Sequence, residues 1–198
     1  MSIVNGYCTL PDVKIELPEI GPSDNQFDSR LELAIASASR KIDAFCGRRF
    51  WQDASVADRQ YYPTDTRNVE VDDISTTTGL VLKVDINDDG TYAQTLTIAT
   101  NFILLPTNAA REVPVRPYTA IRLVDYGISW FPRYLSGRPT VQVTAKFGWP
   151  AVPDVVAKAC RTQAVQEFQA PASTETPLHP MVKSALTDFI RDSMIEDR

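Results

Sequence analysis

The chain has 198 residues, 43% of them hydrophobic and 23% charged, with a formal net charge of −5. That length supports one well-buried core with room for an appendage, and the composition is that of a folded protein, not a disordered one. The acidic balance excludes a protein that coats nucleic acid over its whole surface, though not one with a local basic patch.

The opening MSIVNGY has neither a basic nor a long apolar region, so it does not read as a signal peptide. Thr9-Leu10-Pro11-Asp12 starts a short helix, with threonine as cap and aspartate three residues on. Leu10, Val13 and Leu17 share a face, and Pro18 ends the helix. After a linker, Ser23-Asp24-Asn25-Gln26 offers a second capping box. The long helix it opens carries Phe27, Leu31, Ala34, Ile35, Ala38, Ile42 and Phe45 on one stripe. Its centre is small, which lets another helix approach closely. Gly47 is its expected left-handed stop.

From Trp51 to Phe147 the period changes to two. Leu80, Leu82, Val84 and Ile86 alternate with Val81, Lys83 and Asp85. Asn87-Asp88-Asp89-Gly90 supplies turn chemistry, and Tyr92–Ile98 can return as the partner strand. Phe102–Leu105 and Ala120–Val124 are further short strands. Val141, Val143, Ala145 and Phe147 give the clearest alternation, ended by Gly148-Trp149-Pro150. Pro153 and Asp154 then open a helix in which Val156, Cys160, Ala164 and Phe168 recur every fourth residue. Its natural partner is the first long helix. Residues 170–180 form a linker containing proline, serine and threonine, and 181–198 read as an amphipathic helix. No apolar run approaches the roughly 20 residues of a membrane helix.

The fold class this predicts is α+β: a small helical bundle with an inserted antiparallel β-sheet and a tethered C-terminal helix. The core spans 1–169, with helices at about 9–17, 24–46 and 153–169 and the β insertion at about 51–147.

Few residues suggest chemistry. The single histidine, His179, has no nucleophile motif nearby and no second histidine with which to share a metal. The glycines form no phosphate loop. Cys8, Cys46 and Cys160 are odd in number and without paired spacing, and read as buried reduced thiols in a reducing cytoplasm. Asp85, Asn87, Asp89 and Gly90 match the first half of a calcium loop, but the twelfth position is Leu96 instead of glutamate and the flanks alternate like strands. A hairpin turn is the simpler account. No catalytic residue, metal site or cofactor is therefore expected.

Two stretches suggest contacts. Residues 109–139 hold Arg111, Arg116, Arg122, Arg133 and Arg138 against Glu112 and Asp125, interleaved with Tyr118, Tyr126, Trp130, Phe131 and Tyr134. Basic and aromatic together describe a nucleic-acid surface, a protein contact, or a solvated strand edge with its arginines paired. Arg116, Arg122, Trp130, Phe131, Arg133 and Tyr134 are the candidate inter-subunit or DNA-facing residues. In the C-terminal helix, Val182, Leu186, Phe189 and Ile190 form an apolar stripe. It either folds back on its own core or, given the linker, reaches a neighbour as an arm.

The run VTAKFGWPAVPDVVAKAC (143–160) resembles the closing strand and helix of the phage head–tail connector family, adaptors that bind beneath a portal ring. TLPDVKIEL (9–17), LELAIASASRKIDAFCGRRF (31–50) and, more weakly, NFILLPTNAAREVPVRPYTAIRL (101–123) agree in the family's order. Trp51–Thr100 and Gly127–Pro139 show no such pattern. The resemblance implies a structural virion protein with no enzymatic activity, located at the neck and assembled in the host cytoplasm. It implies a ring of twelve copies, bound to the portal protein and to the next neck or tail protein. DNA would pass through its channel without sequence-specific binding, and no membrane is involved. On this reading Val182, Leu186, Phe189 and Ile190 are the portal- or neighbour-binding residues. Two other classes remain open: a nucleic-acid-binding module using Arg111–Arg138, and a small α+β enzyme.

Overall fold

The computed structural model describes residues 3–124, 130–132, 137–171 and 176–191. It is an α+β protein in two units: Met1–Phe50 with Val152–Arg198, and, inserted between them in the chain, Trp51–Ala151.

The first unit is helical. In α1 (Leu10–Ile15) the predicted capping box is complete: the Asp12 N–H donates to Thr9 Oγ1 at 3.3 Å, and the Thr9 N–H donates to the Asp12 carboxylate at 2.9 Å. Val13 and Leu17 are buried. The second predicted box is not used. The helix α2 spans Asp28–Cys46, with Phe27 as an N-cap that makes no side-chain bond. Asp24 instead accepts the Gln26 N–H at 2.9 Å. The start is set by a tertiary partner: the buried Lys14 ammonium donates to the Asp24 carbonyl at 2.7 Å and pairs with Asp28 at 2.6 Å. Asp28 also sits at the positive end of the helix dipole. Gly47, at φ 63°, ends α2 as expected.

Helix α3 (Asp154–Gln169) begins after Pro153, which is the N-cap and not the first helical residue. It packs along α2. Leu31, Ala34, Ile35, Ala38 and Ile42 are buried on one helix, and Val156, Cys160 and Ala164 on the other. Phe27 and Phe168 close one end edge to face, with centroids 5.8 Å apart. At the N-terminal segment, the Tyr7 hydroxyl bonds the Asp43 carboxylate and accepts the Phe50 N–H at 2.8 Å, tying that segment to the end of α2.

The second unit holds β1 (Ala57–Tyr61), β2 (Asn68–Ile74), β3 (Val81–Val84), β4 (Gln94–Leu96), β5 (Phe102–Leu105), β6 (Tyr118–Leu123) and β7 (Val141–Ala145). One inserted antiparallel sheet was expected; there are two, in the orders β1-β7-β3-β4 and β2-β6-β5. Both are antiparallel. They share one apolar core. Val69, Val71, Phe102, Leu104 and Ile121 of one sheet cluster with Leu82, Val84, Val141 and Val143 of the other. Seven short strands can bury their alternate residues by closing two faces on one another, which a single flat sheet cannot do.

The predicted hairpin forms, with Leu82 opposite Leu96 and Val84 opposite Gln94. Its turn is organised by Asp85, which is fully buried. The Asp85 carboxylate accepts the backbone N–H groups of Asp89 at 3.3 Å and Gly90 at 2.7 Å. The aspartate of the half-motif therefore serves the turn itself.

Candidate interaction surface

In the C-terminal segment the apolar stripe is not free: of the two alternatives, it folds back on its own unit. Helix α4 covers only Pro180–Leu186 and passes into a 3₁₀ turn over Thr187–Phe189. Residues 192–198, the remainder of the predicted helix, lie outside the described residues. Val182, Leu186 and Phe189 are 2%, 0% and 6% exposed, and Ile190 is half-buried. Their cover comes from their own unit: α4 packs on α3, and the Phe189 ring meets Phe50 edge to face at 5.9 Å. The Arg191 N–H donates to the Cys46 carbonyl at 2.9 Å.

A polar clamp holds this segment down. Gln163, wholly buried on α3, accepts the His179 N–H at 2.9 Å through Oε1 and donates to the Pro177 carbonyl at 3.1 Å through Nε2. Lys41 bonds both Glu167, at 2.9 Å, and the Thr176 carbonyl, at 2.6 Å. His179 is the N-cap of α4, its Nδ1 accepting the Met181 N–H at 3.2 Å. Backbone groups at Thr176, Pro177 and His179 thus find side-chain partners in place of water. Gln163 was missed by the sequence reading. Its signal was there: a glutamine one turn after Cys160, on the face that α3 buries.

Among the described residues the arginine–aromatic stretch is not one patch. Phe131 is 2% exposed and belongs to the apolar core of the β unit, whereas Trp130 beside it is 54% exposed. Arg116 pairs with Glu112 at 3.0 Å, and Arg122 donates to Asn68 Oδ1 at 2.8 Å across β6 and β2. Arg133, Tyr134 and Tyr126 lie outside the described residues. The exposed apolar side chains of this unit include Trp130, Val113 at 98% and Val115 at 42%, the last two in the loop between β5 and β6. In the helical unit Ile15, Leu33 and Met181 are exposed.

A cleft of about 470 Å³ runs beside Arg30, Leu33, Ser37 and Lys41 of α2 and Glu167 and Phe168 of α3. Arg30 bridges it, donating to the Phe168 and Ala170 carbonyls at 2.7 and 3.2 Å while its guanidinium lies 4.8 Å from the Phe168 ring centroid. This satisfies carbonyls left open at the end of α3. Among the described residues no three His, Cys, Asp or Glu side chains are placed to hold a metal ion. No helix among them is long and apolar enough to cross a membrane. What each unit offers chemically is contact through its exposed apolar side chains.

No protein-family model matches this chain, and no curated protein does. Solved structures do. One is a chain from the neck of an empty GTA particle computed with C6 symmetry, with TM-score 0.58 and 14% identity over 96% of this chain and 93% of that one. Another is from the neck of a native GTA particle computed with C12 symmetry, with TM-score 0.52 and 14% identity over 96% and 95%. At such identity the likeness is one of fold, and it spans both units of the chain.

Proposed function

We propose that this chain is a structural, non-enzymatic protein of a phage-type head–tail neck. In this reading it forms a ring of twelve copies that binds the portal, meets the next neck or tail protein and extends the DNA channel without reading sequence. The observation that carries the proposal is the end-to-end fold likeness to chains from GTA necks. The ordered sequence blocks at 9–17, 31–50, 101–123 and 143–160 support it independently. A fold match covering only one unit would have argued for a shared module and no more.

Val182, Leu186 and Phe189 can serve a neighbour only if they leave α3 and Phe50. Ring and portal contacts in this proposal therefore begin with side chains already exposed: Ile15, Leu33 and Met181 in one unit, Val113, Val115 and Trp130 in the other. Among the described residues the nucleic-acid reading is weakened, since Phe131 is core and Arg116 and Arg122 have protein partners.

The test is particle mass in solution, with and without portal rings. A closed oligomer, or ring-on-ring attachment at a defined stoichiometry, supports the proposal. A chain that stays monomeric and does not co-sediment with portal rings overturns it. Duplex binding that falls steeply with salt would favour the nucleic-acid reading instead.

A further inference from the structure

We propose that Cys8 and Cys160 are a built-in redox pair that closes into an intramolecular disulfide on exposure to a small-molecule disulfide oxidant. The two are free thiols whose Sγ atoms lie 3.3 Å apart, although 152 positions separate them in sequence. A disulfide needs an S–S distance of about 2.05 Å, so an approach of about 1 Å closes the pair. Cys8 lies two residues before α1 and Cys160 within α3, so the bond would staple the N-terminal segment to the central helix. This inference rests on the thiol geometry and not on the neck assignment.

Access is asymmetric. Cys8 borders a cleft of about 340 Å³ with Asp12, Asp154, Lys158 and Arg161, whereas Cys160 is fully buried. An oxidant entering from solvent meets Cys8 first. Lys158 and Arg161 are balanced there by Asp12 and Asp154, with Arg161 also paired to Glu16 at 3.0 Å, so the cleft selects by access and not by charge, and oxidised glutathione serves as the probe. The Cys8 thiolate attacks the oxidant's disulfide, forming a mixed disulfide and releasing one glutathione thiolate. Cys160 then attacks the Cys8 sulfur, forming the protein disulfide and releasing the second. The protons of the two protein thiols end on the two glutathiones, so one disulfide is reduced for each one formed.

Ser39 Oγ lies 3.4 Å from Cys160 Sγ, within hydrogen-bond reach of the buried thiol. The hydrogen bond from Cys8 lowers the Cys160 thiol below its ordinary range, while that same bond, together with burial, raises Cys8. The entry step is accordingly slow at neutral pH and accelerates as pH rises.

The test uses the full chain and its Cys46→Ser variant, treated with oxidised glutathione at mildly alkaline pH. Intact mass and peptide mapping should show loss of two hydrogens, a Cys8–Cys160 linked peptide, reversal by dithiothreitol and a higher Tm. Adding Cys8→Ser or Cys160→Ser should abolish the link. If Cys46→Ser folds poorly, the same linked peptide is sought in the unmodified chain. Unreacted thiols, stable glutathione adducts without ring closure, or disulfide-linked dimers overturn the proposal.

Discussion

Gln163 and His179 are joined at 2.9 Å by a part-buried hydrogen bond from the His179 backbone N–H to the Gln163 side-chain oxygen. It sits where the linker ends and α4 begins, beside the His179 cap on the Met181 N–H. Pro180 follows as the first helical residue, and α4 then lays Val182 and Leu186 on its own unit. An arm and a core element have the same amphipathic sequence. Burial against α3 and Phe50, with the Gln163 amide satisfying backbone groups of the linker, makes this segment a core element here.

Leu186→Ala should therefore destabilise the protein by about 2–5 kcal/mol, and Phe189→Ala by about 3–5 kcal/mol, the usual cost of emptying a filled core site. Deleting residues 178–198 should lower the Tm sharply, because it uncovers α3 and removes Phe189, whose ring packs on Phe50 alongside that of Tyr7. Denaturant unfolding and a melting curve check both. A truncated chain that melts with the intact one would return the segment to the role of a free arm.

The features legible from sequence were those whose partners are near in the chain. The Thr9–Asp12 box, the Gly47 stop and the Asp85–Gly90 turn each close within a few residues, and each forms. Where the partner is distant, the pairing of α2 with α3 was readable from two apolar stripes and a small-residue centre, but other patterns were read incompletely. Ser23–Gln26 has the letters of a capping box, yet Lys14 sets the start of α2 by holding Asp28. Strand β2, NVEVDDI, was missed because its two aspartates break the apolar alternation. One of them, Asp72, is matched by Arg59 at 2.6 Å from another strand. The stripe of Val182, Leu186 and Phe189 showed that a face is covered. Periodicity carries no information about what covers it, and a linker of this length permits either answer.

Asp85→Ala should unfold the hairpin turn locally and cost about 1–3 kcal/mol, since two backbone N–H groups lose a buried acceptor. Asp85→Asn, which keeps one acceptor oxygen, should cost less. Calcium titration of the intact protein should give no heat and no shift in Tm. Specific binding tighter than about 10⁻⁴ M would show that the half-motif is a metal loop after all.

Gly148→Ala tests the bend after β7. Gly148 sits at φ +103°, and a Cβ there would lie 1.8 Å from the Trp51 carbonyl oxygen, a backbone atom that cannot swing aside. Its N–H also donates to the Asp73 carbonyl at 2.7 Å, and it bridges Gln52. The substitution combines a disfavoured conformation with a steric clash, so the loss should exceed about 1 kcal/mol. Thermal unfolding measures it. By contrast Gly21→Ala, where nothing lies within 4 Å and φ is ordinary, should be close to neutral.

Arg59 offers the sharpest test of how the β unit is held. Its guanidinium lies 4.0 Å from the centroid of the Phe147 ring, bonds Asp72 at 2.6 Å and approaches Asp53 at 3.8 Å. The side chain remains about a third exposed, so the ion pair alone should be worth roughly 0.2–1 kcal/mol. Stacking on the ring adds about 0.5–1 kcal/mol. Arg59→Ala should accordingly cost about 1–2 kcal/mol in all. Arg59→Lys should recover only part of this, because a compact ammonium cannot lie flat on Phe147 while pairing with Asp72. A double-mutant cycle of Arg59→Ala with Asp72→Ala isolates the ion pair, and one with Phe147→Leu isolates the stacking. If lysine restores full stability, the guanidinium is acting as charge alone. If both coupling energies vanish, the arginine is a surface residue lying against the sheet, and β1 is held by its backbone ladder to β7.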